Sequence, residues 1–418
     1  MKFRDLHPNL KLRIIIGFFQ RLTQMTVFPF MTIYFARYYG SEIAGVIVFT
    51  SVIIAFLASF YGGYFADIKG RKPILLNSEK MRFITLLVLA ISNSEVFVSP
   101  FVTCIMFIAN TFLVGVSTPA SEAIVVDVST KETRKFVYGI NYWATNLAIA
   151  LGSIIGAFLY EKHFFILLLS TSLASLLSCI LISKFITETK PASQEKNELF
   201  KFSYKNMLKS YRIILKNTIF LRYMLVGILM LGLEMQMSNY IAVRLSNEFG
   251  IKSLLPYNLL NIQVSGVQIF GIMRLENTFL VVLLAGLLMN FVKRYSERKV
   301  LIVGTVLFSG GYALLAITNV GWILLLGTAI SALGELMYIP IHQAMLANMV
   351  GEKNVSQYMA VSSLRIRGAT IMGSIGLTLG AFIPTWSMGV VYLLIGLTCI
   401  AIYMNILSGL EFTNKEST

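Results

Sequence analysis

The sequence has little charge and few cysteines for its length. Only 13% of its 418 residues are Asp, Glu, Lys or Arg, whereas 56% are hydrophobic and fall in long continuous runs. A soluble domain does not combine so little charge with such runs. Runs of about 20 apolar residues satisfy their own backbone as helices in a bilayer, while a membrane β-barrel requires alternating patterns. The sequence therefore predicts an all-α integral membrane protein.

The sequence also lacks the residue patterns of catalytic and metal sites. Its three cysteines, Cys104, Cys179 and Cys399, lie in apolar runs at unrelated spacings, which indicates neither a disulfide framework nor a metal site. There is no nucleotide-binding loop, no grouping of nucleophile, base and orienting residue, and no polar segment long enough for a nucleotide-binding domain. We therefore expect no enzyme activity, no ATP-driven pumping, no cofactor and no metal.

Positive charge is concentrated in alternate gaps between the apolar runs. The chain has 35 Lys and Arg residues against 20 Asp and Glu residues, a formal net charge of +15. In a soluble protein this excess would suggest a nucleic-acid partner, but its distribution follows the positive-inside rule of membrane proteins. The pattern predicts membrane lipids rather than nucleic acid as partners. It places both chain ends in the cytoplasm of a protein in the plasma membrane.

One polar segment divides the chain into two halves. The length of the chain fits about twelve spanning helices. We predict an N-terminal six-helix bundle over 1–185, a cytoplasmic linker over 186–217 and a C-terminal six-helix bundle over 218–418, with a long outward segment over 246–274. The similarity of STPASEAIVVD in the fourth span to YIPIHQAMLAN in the tenth supports a repeat. Two such halves suit a transporter with a central substrate site, and a monomer is expected.

A short basic gap between the second and third apolar runs carries the most informative motif. It reads GGYFADIKGRK, in which a carboxylate meets water at the end of one run and a glycine permits a turn that a Cβ would hinder. The gap resembles the signature loop of the major facilitator superfamily at five residues, namely Gly63, Asp67, Gly70, Arg71 and Lys72. This resemblance extends over the whole chain and implies two six-helix bundles that move about a central site.

A longer stretch resembles a narrower group. Residues 125–152, VVDVSTKETRKFVYGINYWATNLAIALG, are similar to the same stretch of the LmrP-type multidrug/proton antiporters. The resemblance implies proton-coupled export of lipophilic cations, with Glu335 in the tenth span as a cavity carboxylate for the drug and the proton. Asn141 stands where LmrP-type proteins carry an aspartate, and the antiporter motif of the fifth span lacks its proline. One protonation site of that group is therefore absent here.

The same resemblance implies a conformational latch on the cytoplasmic side. Asp67 and Asp127 match latch carboxylates, and Arg134 matches a nearby arginine of the family. Arg365 and Arg367, at the start of the eleventh span, stand where the basic partner of the latch belongs. Pairing of these arginines with the carboxylates would tie the bundles together and favour the outward-open state. The alternative is simple anchoring at the membrane surface.

Four ionisable residues lie within apolar runs, where a charge costs from about 2.5 to over 10 kcal/mol. They are Arg21, Glu234, Glu335 and His342. The two carboxylates are candidates for binding cations and protons, and His342, two turns after Glu335 on one helix face, is a candidate relay. Arg21 is a candidate counter-ion for a carboxylate or an anionic substrate. For each residue the alternative is a structural role in a buried hydrogen bond or ion pair.

Polar and aromatic residues of the fifth span supply further candidates for the lining of a binding site. Asn141 and Trp143 combine an amide with an aromatic ring, which suits flat hydrophobic cations, although Trp is also an ordinary residue of the membrane interface.

Three functions are consistent with these features. The leading hypothesis is a secondary active transporter that exports lipophilic cations in exchange for protons by alternating access, with a small molecule and protons as its partners. The alternative that Arg21 favours is a proton-linked transporter of a metabolite, a lipid-like molecule or an anion. A non-transporting membrane sensor with the same fold is the third.

Overall fold

A computed structural model describes residues 6–189, 217–255, 262–292, 294–349 and 355–416. Nearly all of them are helical, because a helix satisfies the backbone hydrogen bonds of an apolar span within the span itself. The helices in chain order are α1 (Pro8–Lys69), α2 (Arg71–Ile91), α3 (Pro100–Asp127), α4 (Lys131–Phe185), α5 (Thr218–Gln236), α6 (Ala242–Glu248), α7 (Gly266–Val292), α8 (Glu297–Ile317), α9 (Gly321–Met349), α10 (Val355–Gly380) and α11 (Thr385–Glu416). A π-helical turn, Met237–Ile241, joins α5 to α6, and strands β1 (Ile251–Ser253) and β2 (Gln263–Ser265) form a two-stranded sheet.

The two longest helices each contain a break where the sequence predicts a turn between spans. The 62 residues of α1 would extend about 93 Å at the usual helical rise, far beyond the thickness of a bilayer core. Its backbone leaves the helical region at Gly40, which has a φ of 82° and lies between the spans predicted over 14–36 and 43–66. α4 is interrupted in the same way at His163. Each of these helices is long enough for two crossings.

Eight helices in the described part of the chain are long and apolar enough to cross a membrane. The predicted all-α membrane fold is therefore confirmed, while the number of twelve crossings stays a prediction. Two long helices, α2 and α10, are not among the eight; α2 carries five charged residues and α10 carries two.

The chain divides into two compact units. The first comprises Met1–Ala192, Leu245–Gly250 and Val264–Thr278, and the second comprises Ser193–Arg244, Ile251–Gln263 and Phe279–Thr418. Within the first unit, α1 and α2 both pack against α3 and α4. Within the second, α8 packs against α9 and α11, and α5 packs against α10 and α11. The predicted linker falls mostly on residues 190–216, which lie outside the described part of the chain, so the bundle boundaries stay a prediction.

The sequence predicts the eighth span over 276–295, after the outward segment of 246–274. In the structure, part of that outward segment is helical. α7 begins ten residues earlier, at Gly266. Ser265 Oγ accepts a hydrogen bond from the backbone N–H of Gln268 (3.3 Å), and Gln268 Oε1 accepts one from the backbone N–H of Ser265 (2.8 Å). This reciprocal capping box satisfies two amide groups at the helix start. The Ser-x-x-Gln pattern was visible in the sequence and indicates the earlier start.

Two glycines let α4 approach α1 closely. A Cβ built on Gly152 would lie 2.6 Å from the backbone carbonyl oxygen of Leu22. A Cβ on Gly156 would overlap the carbonyl oxygen of Thr26 and the ring of Phe30. The small-x-x-x-small spacing of α4 therefore brings two helix backbones together, as it commonly does in membranes.

Substituting one of these glycines tests the close approach. We expect Gly156→Ala to lower the stability by about 1–3 kcal/mol, because its methyl group meets backbone that cannot move aside. Gly139→Ala on the same helix is the matched control, since nothing lies within 4 Å of its added Cβ, and alanine there gains about 0.5–1 kcal/mol of helix preference. Thermal unfolding of the purified protein in detergent measures both changes. Equal midpoints for the two variants would contradict the close approach.

Candidate functional site

Two carboxylates from different helices of the second unit interact with one buried hydroxyl. Glu234 of α5 and Glu335 of α9 are both half-buried, and each interacts electrostatically with the hydroxyl of Tyr338. Tyr338 is 2% exposed, and its hydroxyl has no hydrogen-bond partner among the described residues. The π-helical turn at Met237–Ile241 begins directly after α5, the helix that carries Glu234, and such turns often mark functional sites. Ionisable side chains at membrane depth are candidates for binding cations and protons, which makes this acidic cluster (Glu234, Glu335 and Tyr338) the first candidate site.

A second polar cluster surrounds His342, two turns further along α9. Arg365 Nη1 of α10 lies 2.5 Å from His342 Nε2 and donates a hydrogen bond of 2.8 Å to the Tyr223 hydroxyl of α5. The Tyr403 hydroxyl of α11 lies 3.0 Å from His342 Nδ1. The imidazole stacks on the Tyr223 ring with 4.2 Å between centroids and is 6% exposed. These four residues form the histidine cluster, which joins two residues that the sequence assigned to different roles, the relay and the latch.

A cavity of about 380 Å³ lies in the first unit between α1, α3 and α4. Its volume is within the range of small-molecule sites, about 300–1,000 Å³. The polar residues that line it are Arg13, Arg21, Ser121, Glu122, Asn141 and Thr145. The sequence predicted Arg21 and Asn141 as lining residues, and the structure brings both to this cavity.

Arginine side chains dominate the charge of this cavity. Arg13 donates a hydrogen bond to Ser121 Oγ, whereas Arg21 makes no hydrogen bond or ion pair with any residue that the structure describes. Two guanidinium groups thus face a space with one carboxylate, that of Glu122. The excess of positive charge suits an anionic group.

The signature loop is held by ion pairs inside the first unit. Arg71 pairs with Asp67, four residues before it, and its Nε lies 3.6 Å from Asp127 Oδ2 at the end of α3. Thr189 Oγ1 donates a 2.8 Å hydrogen bond to the same Asp127 oxygen. The structure therefore brings together two of the predicted latch carboxylates through the arginine of the loop. The pairing of Arg365 or Arg367 with them stays a prediction.

The turn of the loop is stabilised by a carboxylate that sequence analysis missed. Gly70 has a φ of 103°, where a residue with a Cβ would be strained. Glu188, which follows α4, accepts hydrogen bonds of 3.0 Å from the backbone N–H groups of Arg71 and Lys72 at the start of α2. Negative charge at a helix N-terminus is favourable because the first amide groups lack partners within the helix. Glu188 is therefore a further part of the loop.

A buried ion pair on α2 also escaped sequence analysis. Arg82 Nη1 lies 2.6 Å from Glu79 Oε1, and the two side chains are 7% and 3% exposed. Ser175 Oγ of α4 donates to Glu79 Oε2 at 3.0 Å, and Arg82 Nε donates to Asn110 Oδ1 of α3 at 3.3 Å. Arg82 of α2 thereby places a guanidinium beside Asn110 of the neighbouring helix. The i,i+3 spacing of opposite charges was the signal that could have found this pair.

Arg244 is a second arginine that sequence analysis left aside. It is 4% exposed and donates to the carbonyl oxygens of Leu315 (2.8 Å) and Thr318 (2.7 Å) and to Asn319 Oδ1 (2.6 Å). These groups follow the last turn of α8, where a cation satisfies carbonyls that lack helical partners. Its role is structural.

The remaining predicted residues are dispersed. Trp143 is 62% exposed and does not line the cavity of the first unit. A Cβ on Gly63 would make an ordinary contact of 3.7 Å with Pro119. The side chain of Arg134 lies outside the part of the chain that the structure describes.

Comparisons with known sequences all find membrane transporters. The sequence profile of the Major Facilitator Superfamily matches residues 14–288 and 260–415. A Na(+), Li(+), K(+)/H(+) antiporter of Planococcus maritimus is 30% identical over 388 residues, which cover 91% of this chain and 92% of that protein. The uncharacterized MFS-type transporter YqjV of Bacillus subtilis (strain 168) is 26% identical over 331 residues, 76% of this chain and 73% of that protein.

Solved structures of transporters have a similar fold. A POT family transporter in complex with 5-aminolevulinic acid has a TM-score of 0.69 at 15% identity, and the match covers 98% of this chain and 99% of that one. A mutant of the nucleoside transporter NupG has a TM-score of 0.66 at 14% identity, and the match covers 96% of this chain and 99% of that one. At these identities the likeness concerns the fold alone. The narrower resemblance to LmrP-type multidrug antiporters stays a prediction.

Proposed function

The chain belongs to the major facilitator superfamily and is a multi-pass membrane transporter, and we propose that it exchanges a cation for protons by alternating access. The acidic cluster is the exchange site in this proposal. Two six-helix bundles carry the motion in this proposal, and pairing of Arg365 or Arg367 with Asp67 or Asp127 forms the cytoplasmic latch.

One observation supports the proposal: two carboxylates, from α5 and α9, both interact electrostatically with the buried hydroxyl of Tyr338. A carboxylate at membrane depth is costly when it is ionised and has no counter-charge. A proton and a cation both remove this cost, so they compete for the same oxygens. Competition of this kind makes uptake of one the condition for release of the other, which is the requirement for antiport.

We propose a monovalent metal cation as the first substrate class to be tested. Carboxylate and hydroxyl oxygens are hard ligands that suit hard cations, and the relative from Planococcus maritimus is named for Na(+), Li(+) and K(+). A lipophilic organic cation, which the LmrP-type resemblance implies, would use the same carboxylates as counter-ions.

Proton flux in proteoliposomes tests the exchange directly. Vesicles that hold a pH-sensitive dye and an acidic interior are diluted into alkaline buffer, and NaCl, LiCl, KCl, choline chloride or tetraphenylphosphonium chloride is added outside. We expect a metal chloride to dissipate the pH gradient faster than choline chloride, whereas a response to tetraphenylphosphonium alone would assign the lipophilic cation. If no added cation accelerates proton flux relative to empty liposomes, cation antiport is wrong and the sensor hypothesis gains support.

The cavity of the first unit favours a second candidate function, transport of an organic anion. Arg21 lines this cavity and has no acidic partner among the described residues. Uptake of labelled benzoate under a pH gradient tests it, with Arg21→Gln as the variant. Uptake that requires Arg21 but is insensitive to Glu335→Gln would support anion transport over cation exchange.

A further inference from the structure

The histidine cluster fixes where the imidazole carries its proton. An arginine side chain donates hydrogen bonds and accepts none. With Arg365 Nη1 at 2.5 Å, His342 Nε2 must be the acceptor and therefore carries no proton. A neutral imidazole then carries its proton on Nδ1, and this N–H donates to the hydroxyl of Tyr403 at 3.0 Å. The geometry thus assigns the neutral Nδ1–H tautomer.

The side chain of Arg365 fits between the Tyr223 ring and the small residue Gly227. Arg365 Nη1 also donates to the Tyr223 hydroxyl, and Arg365 Cζ lies 5.0 Å from the centre of the Tyr223 ring. A Cβ on Gly227 would lie 2.6 Å from Arg365 Cδ and 3.1 Å from His342 Nε2. A glycine on α5 therefore leaves the room in which the arginine reaches the imidazole.

Arg365 and a second proton on the imidazole exclude each other. A proton on Nε2 would direct an N–H group at a guanidinium that has only donors, and it would place two positive charges in contact among buried rings. Among the described residues, the titratable and charged side chains that contact the imidazole from packed helices are Tyr223, Arg365 and Tyr403. None of these is a carboxylate that would offset the second charge. The site therefore holds either the guanidinium beside a neutral imidazole, or an imidazolium without the guanidinium.

Tyrosine hydroxyls lie between this site and the acidic cluster. The hydroxyl of Tyr338 interacts electrostatically with Tyr403 as well as with Glu234 and Glu335.

We propose that His342 is a second proton-binding site and that Arg365 gates it; its part in exchange rests on the proposed function. When Arg365 withdraws, the Nε2 lone pair takes one proton from water and forms one N–H bond. When Arg365 returns, that bond breaks and the proton goes back to water. Any motion of α10 that moves Arg365 is thereby tied to the binding of a proton.

Nitrogen NMR of the imidazole tests the gate without requiring transport. The chain has three histidines, so ring-¹⁵N histidine labelling gives three sets of signals, and His342→Gln identifies one. In the wild-type protein we expect the neutral Nδ1–H form throughout about pH 5 to 8, where an ordinary histidine titrates. In Arg365→Gln we expect a second proton to bind at a higher pH than in the wild-type protein, because the opposing charge of the guanidinium is gone. Arg367→Gln, two residues along the same helix, is the matched control and should leave the His342 signals as in the wild type.

Two results would overturn the gate: an Nε2–H tautomer in the wild-type protein, or the same titration of His342 with and without Arg365. If Arg365→Gln does not fold, Arg365→Met serves instead, because methionine keeps an unbranched apolar side chain of similar reach and has no N–H donor or charge. That variant should acquire the second proton.

Flux measurements separate this inference from the proposed function. If wild-type vesicles show cation-driven proton flux and Arg365→Gln changes its pH profile, the gate takes part in exchange. An unchanged profile overturns that part while antiport stands. If wild-type vesicles show no such flux, antiport fails, and the NMR titration still decides whether Arg365 controls the proton on His342.

Discussion

Replacing Glu335 with glutamine is expected to reduce cation-dependent proton flux by about 100-fold or more, equivalent to about 2.7 kcal/mol in the barrier. Glutamine has nearly the same size as glutamate, but it does not take up a proton and has no negative charge to balance that of a cation. Because Glu335 and Glu234 both interact electrostatically with the same hydroxyl, Glu234→Gln should also impair flux. Initial rates of dye response in proteoliposomes measure the change.

A matched control shows whether charge at this position is what matters. Glu95→Gln removes an exposed carboxylate between α2 and α3, away from any site described above, and should keep the wild-type rate. The unfolding midpoints of the wild type, Glu335→Gln and Glu95→Gln should be similar. Full flux in Glu335→Gln would exclude the acidic cluster as the exchange site.

Removing Arg82 is expected to destabilise the protein by about 3–5 kcal/mol, because Glu79 would be left buried without its partner. We therefore expect Arg82→Met to lower the unfolding midpoint in detergent markedly. The double variant Glu79→Gln/Arg82→Met should recover most of the loss, since it leaves no unpaired charge and glutamine can still bond to Ser175.

The comparison of single and double variants separates charge from packing. If the double variant is as unstable as Arg82→Met, the loss arises from the volume and hydrogen bonds of the arginine, including its bond to Asn110. An Arg82→Met protein as stable as the wild type would refute the buried pair.

The existence and approximate limits of the helices were predictable because they depend on local sequence. Continuous apolar runs predict spans, and Gly40 falls between two of them. The apolar pattern of the outward segment places the start of α7 ten residues too late. The capping box at Ser265 indicates the observed start. Capping contacts are also local, so this error was avoidable.

Which side chains meet was far less predictable, because it depends on how each helix is rotated against its neighbours. The two acids and the cavity-lining Arg21 were found from the cost of charge in lipid alone. Glu79 and Arg82 are not among the candidates from the sequence, and their partners Ser175 and Asn110 come from other helices. The contact of Arg365 with His342 likewise joins residues 23 positions apart on different helices.

Glu188 determines where this chain can be divided. It supplies, from beyond α4, the acceptors for two amides at the beginning of α2, more than a hundred residues earlier. An N-terminal fragment that stops at the end of α4 would lose those acceptors and leave the first turn of α2 uncapped. Any attempt to express the two halves as separate polypeptides should therefore place the cut after residue 188.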